Sequence, residues 1–267
     1  MKLNFHSALL KLFSVVIVTL LAPTITSAQS VDDYKKMAEQ GDAEAQCNLG
    51  LYYLNEGNSH DYDEAVKWFR MAAEQNNPLA QTMIGIYCYI GEAELRDYDE
   101  AVKWFQMAAE QGNVTSQFYL GVCYYRGDGI PKDYIEAVRW LRKAADRDYA
   151  DAQVLLGSCY VLGYGVTIND KEALGLFRKA AAQDNVGAYS MLGIYYYEHQ
   201  NNKEAVKWLR KGAEQGNAAA QYCLGQCYYR GKGVRKNYDE AIKWFRMAAE
   251  QGYNDAQTRL NDMGEIW

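Results

Sequence analysis

The sequence predicts an all-α solenoid of antiparallel helix pairs, and three observations carry that prediction. A Leu-Gly or Ile-Gly pair recurs six times, at Leu49-Gly50, Ile84-Gly85, Leu120-Gly121, Leu156-Gly157, Leu192-Gly193 and Leu224-Gly225. Those glycines lie 35, 36, 36, 36 and 32 residues apart. Apolar residues between them recur at three- and four-residue spacing, and no segment alternates with the period of two that a strand needs. Periods of this length belong to arrays in which no unit buries its apolar face alone and each is completed by its neighbours.

The elements follow in order. Residues 1–28 read as a secretory signal peptide: Lys2 and Lys11 precede the apolar run Leu12 to Ala22, and Thr26-Ser27-Ala28 offers small residues for cleavage. The run is well short of the ~20 residues needed to span a bilayer. The protein is therefore expected to be exported, periplasmic or secreted, with no membrane span once this segment is removed. Losing its two lysines shifts the net charge from −6 to about −8. Such a field disfavours nucleic acid and anionic membranes, which need a positive surface.

Residues 29–42 predict a leading half-repeat, with a helix from Val31 to Gln40. Six repeats follow at 43–77, 78–113, 114–149, 150–185, 186–217 and 218–253. Residues 254–267 predict a capping helix, Asp255 to Met263, that keeps Ala256 and Leu260 for inward packing. Half-units are expected at the ends because an uncovered terminal pair would expose an apolar face.

The third repeat illustrates one unit. Ser116, Leu120 and Tyr124 are four apart and share a helical face. Gly121 has no side chain and lets a neighbouring helix come close. Gly127-Asp-Gly129-Ile-Pro131 makes a turn, and Asp133-Tyr-Ile-Glu136 has the form of an N-cap followed by a third-position Glu. The same device is expected at Asp61/Glu64, Asp97/Glu100, Asn169/Glu172, Asn201/Glu204 and Asn237/Glu240. A second helix follows, with Ala137, Trp140, Leu141, Ala144 and Ala145 on one stripe. Gly112-Asn113 and Gly216-Asn217 are expected to form left-handed caps at the ends of such helices. The fifth repeat is 32 residues long because Tyr197-Glu-His-Gln-Asn-Asn202 replaces the turn glycines.

Six cysteines in an exported chain suggest disulfides, but their register argues otherwise. Cys123, Cys159 and Cys227 occupy equivalent places on successive repeats, where helices ~8–10 Å apart hold them beyond bridging distance. They read as small buried apolar residues, with the pairing of Cys47 and Cys88 left open.

The pattern in Ala220-Gln-Tyr-Cys-Leu-Gly225, through Gly231-Lys-Gly233-Val234, to Trp244-Phe-Arg-Met-Ala-Ala-Glu-Gln-Gly252 resembles the Sel-one-like repeat (SLR), a subfamily of the tetratricopeptide-like solenoids. The resemblance covers nearly the whole chain after residue 42. It implies a right-handed superhelix that serves as a protein–protein scaffold, including exported bacterial members. The second repeat departs from the pattern at Glu92-Ala-Glu-Leu95, and the fourth at Leu176, which replaces the tryptophan. A cysteine-rich branch of the family has been associated with β-lactam binding or hydrolysis, which makes a cell-envelope enzyme the alternative. That branch spaces its cysteines C-x7-C, a spacing absent here.

Catalytic signatures are missing from the sequence. After residue 28 there are two histidines, His60 and His199, both expected in inter-helix turns. No H-E-x-x-H, G-x-S-x-G, Walker A, C-x-x-C or S-x-x-K motif occurs. The chain is therefore read as non-enzymatic, with no cofactor and no metal. By analogy with tetratricopeptide arrays, one arc of the first helices lines a concave groove for a protein or peptide partner. That arc carries Tyr89, Phe118, Tyr125, Arg126, Tyr197, Tyr222, Tyr229 and Arg230, and Tyr and Arg are favoured anchors in recognition surfaces. The alternative for these tyrosines is packing against adjacent helices. Lys67, Arg70, Lys103 and Arg139 are expected on a solvated outer face, and the protein is expected to be a monomer.

Overall fold

The computed structural model describes residues 31–56, 59–91 and 96–265. The expected signal peptide, Glu92-Ala-Glu-Leu95 and the last two residues lie outside them. The described residues contain fourteen helices and no strand, in two compact units.

The unit ending at Trp140 holds α1 (Val31–Glu39), α2 (Ala43–Glu56), α3 (Ser59–Glu74), α4 (Pro78–Ile90), α5 (Tyr98–Glu110) and α6 (Val114–Arg126). It also contains the start of α7 (Tyr134–Ala145). The unit from Leu141 holds α8 (Ala150–Leu162), α9 (Asp170–Ala181), α10 (Val186–Glu198) and α11 (Asn202–Glu214). It ends with α12 (Ala218–Arg230), α13 (Tyr238–Glu250) and α14 (Asn254–Asp262). Within a repeat, first and second helices pack together: α2 on α3, α4 on α5, α8 on α9, α10 on α11 and α12 on α13. Second helices also meet the first helix that follows, as α3 meets α4 and α11 meets α12.

The motif glycines sit where the two helices of a repeat touch. A Cβ on Gly50, Gly85, Gly157 or Gly225 would come within 2.8 Å of the ring of Phe69, Phe105, Phe177 or Phe245 respectively. In the fifth repeat the partner of Gly193 is Leu209. Each of these partners is at most 2% exposed, so a helix-weakening glycine is kept because the facing ring occupies its Cβ space.

Glutamines, buried except for the half-buried Gln257, join successive repeats, a feature that the leucine-glycine motif does not reveal. The Nε2 groups of Gln46, Gln81, Gln117, Gln153, Gln221 and Gln257 donate to the carbonyls of Ala38, Ala73, Ala109, Ala145, Ala213 and Ala249 at 3.1–3.3 Å. Each carbonyl lies near the end of the preceding helix, where it also accepts the N–H of the turn residue three further on, as Ala73 does from Asn76. In the fifth repeat Tyr189 replaces the glutamine and donates to Asp184 Oδ1 instead.

Several cap assignments change. Gly112 and Gly216 are left-handed as expected, at φ 90° and 87°. Asn113 and Asn217 instead have extended backbones and cap the helices that follow, accepting from the N–H groups of Ser116 and Ala220. Asp97, Asp133, Asn169 and Asn237 cap second helices. Asn201 does not, because its backbone sits at φ −84°, ψ 66° after the shortened turn. Asp61 lies inside α3, which begins at Ser59, and so does His60.

The ends are closed by α1 and α14. Ala38 is fully buried against α2, and Ala256 and Leu260 are fully buried with Phe245 and Ala248 of α13.

Candidate functional site

The first-helix residues proposed for partner contact sit at recurring points of each repeat, and the second helices hold them there. Tyr98, Tyr134 and Tyr238 each open a second helix. Each ring lies against the first-helix tyrosine nine residues earlier, with centroids 5.2 Å apart for Tyr89–Tyr98 and 5.4 Å for Tyr125–Tyr134 and Tyr229–Tyr238. The sequence reading missed this latch, whose signal is a Tyr directly after an Asp or Asn N-cap. Offset and edge-on ring pairs of this kind add ~0.5–1.5 kcal/mol beyond burial.

In the first unit, Tyr89 is buried, and its hydroxyl donates to Asp128 Oδ2 at 2.8 Å. The Tyr89 hydroxyl oxygen in turn accepts from Arg126 Nη1 at 3.2 Å. Burial, and then the bond to Asp128, pushes the Tyr89 hydroxyl far above the usual tyrosine range. The structure thus brings Tyr89 and Arg126 together and adds Asp128. Arg126 is exposed, while Tyr125 and Phe118 are half-buried, Phe118 lying edge-on to Tyr119.

The second unit repeats the theme with a different charge. Tyr197 is half-buried with Lys232 Nζ 4.7 Å from its ring centre, and Lys232 stands seven residues after its motif glycine, as Asp128 does in repeat three. Burial raises the Tyr197 hydroxyl pKa, and Arg230 opposes the rise. Tyr229 meets Arg259 Cζ at 5.5 Å, and Tyr222 packs against Phe245 and Tyr253. Arg230 is exposed.

Second-helix cations are less uniformly solvated than expected. Lys67, Lys103 and Arg139 are exposed. Arg70 is half-buried and pairs with Glu100 at 2.8 Å. Arg142, Arg178 and Arg210 reach forward eighteen residues to the hydroxyls of Tyr160, Tyr196 and Tyr228.

All six cysteines are free thiols, and five of them, Cys47 and Cys88 included, are buried. Burial pushes their pKa values up to about 12, or about 11 for Cys159. At neutral pH they are not thiolate nucleophiles. Among the described residues, no group of three or more His, Cys, Asp or Glu is arranged to hold a metal ion.

The model of the Sel1 repeat matches residues 43–77, 78–113, 114–149, 150–185, 186–217 and 218–253. The chain belongs to the Sel1 repeat family. This Sel1 repeat protein is similar to a Sel1 repeat protein from Oxalobacter formigenes, with 32% identity and a TM-score of 0.70 over 87% of this chain and 68% of the other. It is also similar to c5321, a protective antigen with an SLR fold present in uropathogenic Escherichia coli strains. There the identity is 37% and the TM-score 0.70, over 98% of this chain and 57% of the antigen. This Sel1 repeat protein thus spans less than two thirds of the antigen's length. No curated protein matches the chain. Sel1 repeat proteins are generally protein-interaction scaffolds. Among the described residues, no helix is long and apolar enough to cross a membrane.

Proposed function

We propose that this protein is an exported, non-enzymatic scaffold that binds a partner polypeptide along the first-helix stripe of its repeats. One observation carries the reading: Arg126 and Arg230 stand exposed at the same point of their repeats, each beside a half-exposed tyrosine latched by a second-helix ring. Arg and Tyr supply much of the energy in recognition surfaces. Side chains already held in place lose less freedom on binding. Likeness to a protective antigen supports export.

The test is a pull-down from envelope or host extract with the wild-type protein and a Tyr125→Ala/Arg126→Ala/Tyr229→Ala variant. Circular dichroism verifies that the variant keeps its helices. A partner recovered by the wild type and lost by the folded variant supports the stripe. Equal recovery of every partner by both proteins removes it.

A further inference from the structure

Tryptophan recurs on the second helices, and four of the five described tryptophans carry a cation over the ring. Lys67 covers Trp68, Arg139 covers Trp140, Lys207 and Lys211 cover Trp208, and Lys243 covers Trp244, at 4.5–5.6 Å from the ring centres. Trp104 is the exception among the described residues, although Lys103 precedes it as Lys67 precedes Trp68. Trp68, Trp140 and Trp244 are at most 8% exposed, whereas Trp104 and Trp208 are half-exposed, and of these two only Trp208 has cations over its ring. The Trp104 Nε1–H donates to Glu100 Oε1 at 3.1 Å, which fixes the indole on the surface of α5.

The uncovered ring lines an open cleft of about 570 Å³ together with Asp97, Asp99, Glu100, Lys103 and Met107. Glu100 is occupied by Arg70, at 2.8 Å. Asp97 gives one oxygen to the Glu100 N–H and Asp99 is exposed, and among the described residues neither is in an ion pair. Lys103 also lines the cleft, so Asp97 and Asp99 outweigh its one charge beside an aromatic face, an arrangement complementary to a cation with a flat or methylene-rich body.

We infer that this cleft binds an arginine or lysine side chain of a partner polypeptide, the ring of Trp104 taking the place beside a cation that its four counterparts fill from within the chain. The cleft is open along its side, which suits a side chain arriving on a polypeptide. Asp97 and Asp99 supply the opposite charge, and Met107 supplies an apolar wall. This surface lies on a second helix, so it is separate from the first-helix stripe and does not depend on it.

The test is a titration of the full-length, ¹⁵N-labelled protein, following the indole Nε1–H resonance of Trp104, which is assigned by its loss in Trp104→Phe. The probe is a capped Gly-Arg-Gly peptide, and the control is the same peptide with neutral citrulline. The expected result is a saturable shift with the arginine peptide and none with citrulline. Asp97→Asn/Asp99→Asn keeps the N-cap, because Asn caps as well as Asp, and should weaken the arginine response about fivefold. That second variant retains Trp104, so it stays informative if Trp104→Phe is unstable. No shift, equal shifts with both peptides, or an undiminished response in the double variant would each overturn the inference. The Tyr125→Ala/Arg126→Ala/Tyr229→Ala protein should respond as the wild type does, which separates failure here from failure of the stripe.

Discussion

Gln111 Nε2 donates to the side-chain oxygen of Gln81 at 2.8 Å, while Gln81 Nε2 donates to the Ala73 carbonyl. One buried side chain thereby ties together the end of α3, the body of α4 and the end of α5. The same double role is held by Gln46, Gln153 and Gln221, which accept from Gln75, Gln183 and Gln251.

Replacing Gln81 by Leu keeps volume but leaves the Ala73 carbonyl and the Gln111 amide without that partner. The Ala73 carbonyl keeps the Asn76 N–H and the exposed Gln111 amide keeps Asn76 Oδ1, so each lost bond costs ~0.5–1.5 kcal/mol. Gln81→Leu should therefore lower stability by about 2 kcal/mol in urea unfolding, more than Gln111→Leu, which leaves the bond to Ala73 intact. Equal losses would show that the carbonyl contact contributes little.

Two glycines in helix interiors should respond to alanine with opposite signs. At Gly225 a Cβ would stand 2.6 Å from Phe245, whereas at Gly175 it meets nothing within 4 Å. Gly175→Ala should stabilise by up to ~1 kcal/mol through helix propensity alone. Gly225→Ala gains the same propensity but overpacks the Phe245 contact, for a net loss of about 1–2 kcal/mol. Thermal melts of the two variants, side by side, decide the matter.

Acid should weaken the Arg70–Glu100–Trp104 group. The Trp104 N–H first, and then Arg70, hold the Glu100 carboxyl below its ordinary value of 4.5. A carboxylate depressed in the folded state contributes stability that is present above 4.5 and is lost as pH falls through the folded value. Glu100→Gln should therefore flatten the decline in urea midpoint between pH 5 and pH 3. An unchanged acid slope would show that Glu100 is not part of it.

Alkali acts on Tyr89 in the other direction. Its hydroxyl titrates above the ordinary 10 because of burial and the bond to Asp128. Above pH 10 the unfolded chain ionises this group first, so the stability it contributes, present below 10, is lost as pH rises. Tyr89→Phe should be less stable than wild type at pH 7, by about 1 kcal/mol for the lost hydroxyl bonds. The gap should narrow at pH 11, as read by chemical denaturation at both values.

Deleting residues 254–267 removes the cover over Phe245, Ala248 and Ala249, which α14 buries through Ala256 and Leu260. The truncated protein should melt at lower temperature and self-associate through the uncovered face. Leu260→Ala alone should cost about 2–4 kcal/mol. A truncation that melts and sediments like the full chain would show that α14 is not a cap.

Much of the architecture was legible because it depends on spacing within a helix. The 36-residue period, the paired helices and the N-caps at Asp97, Asp133, Asn169 and Asn237 are local, and local geometry follows from residue type and interval. Asn113 shows where this stops. Asparagine suits both a left-handed C-cap and an N-cap, and only the chain direction after Gly112 selects the second role. The candidate surface was legible in part: the Tyr and Arg positions could be listed, but not which of them meet.

The sequence by itself determined the repeat, its helical content and the absence of recognisable catalytic motifs, because those depend on residue order alone. Tertiary structure decided which side chains the packing consumes. It buries Tyr89 against Arg126 and Asp128 while leaving Tyr125 and Tyr229 half-exposed. It also gives a ring a cation at Trp68 and withholds one at Trp104, although both follow a lysine in the same motif. The physical reason is that a helix face is set by three- and four-residue intervals, whereas its partner is set by contacts outside that helix, from 8 to 39 residues away. The Arg70–Glu100 pair, whose shared carboxylate oxygen also holds the Trp104 N–H, is one such contact.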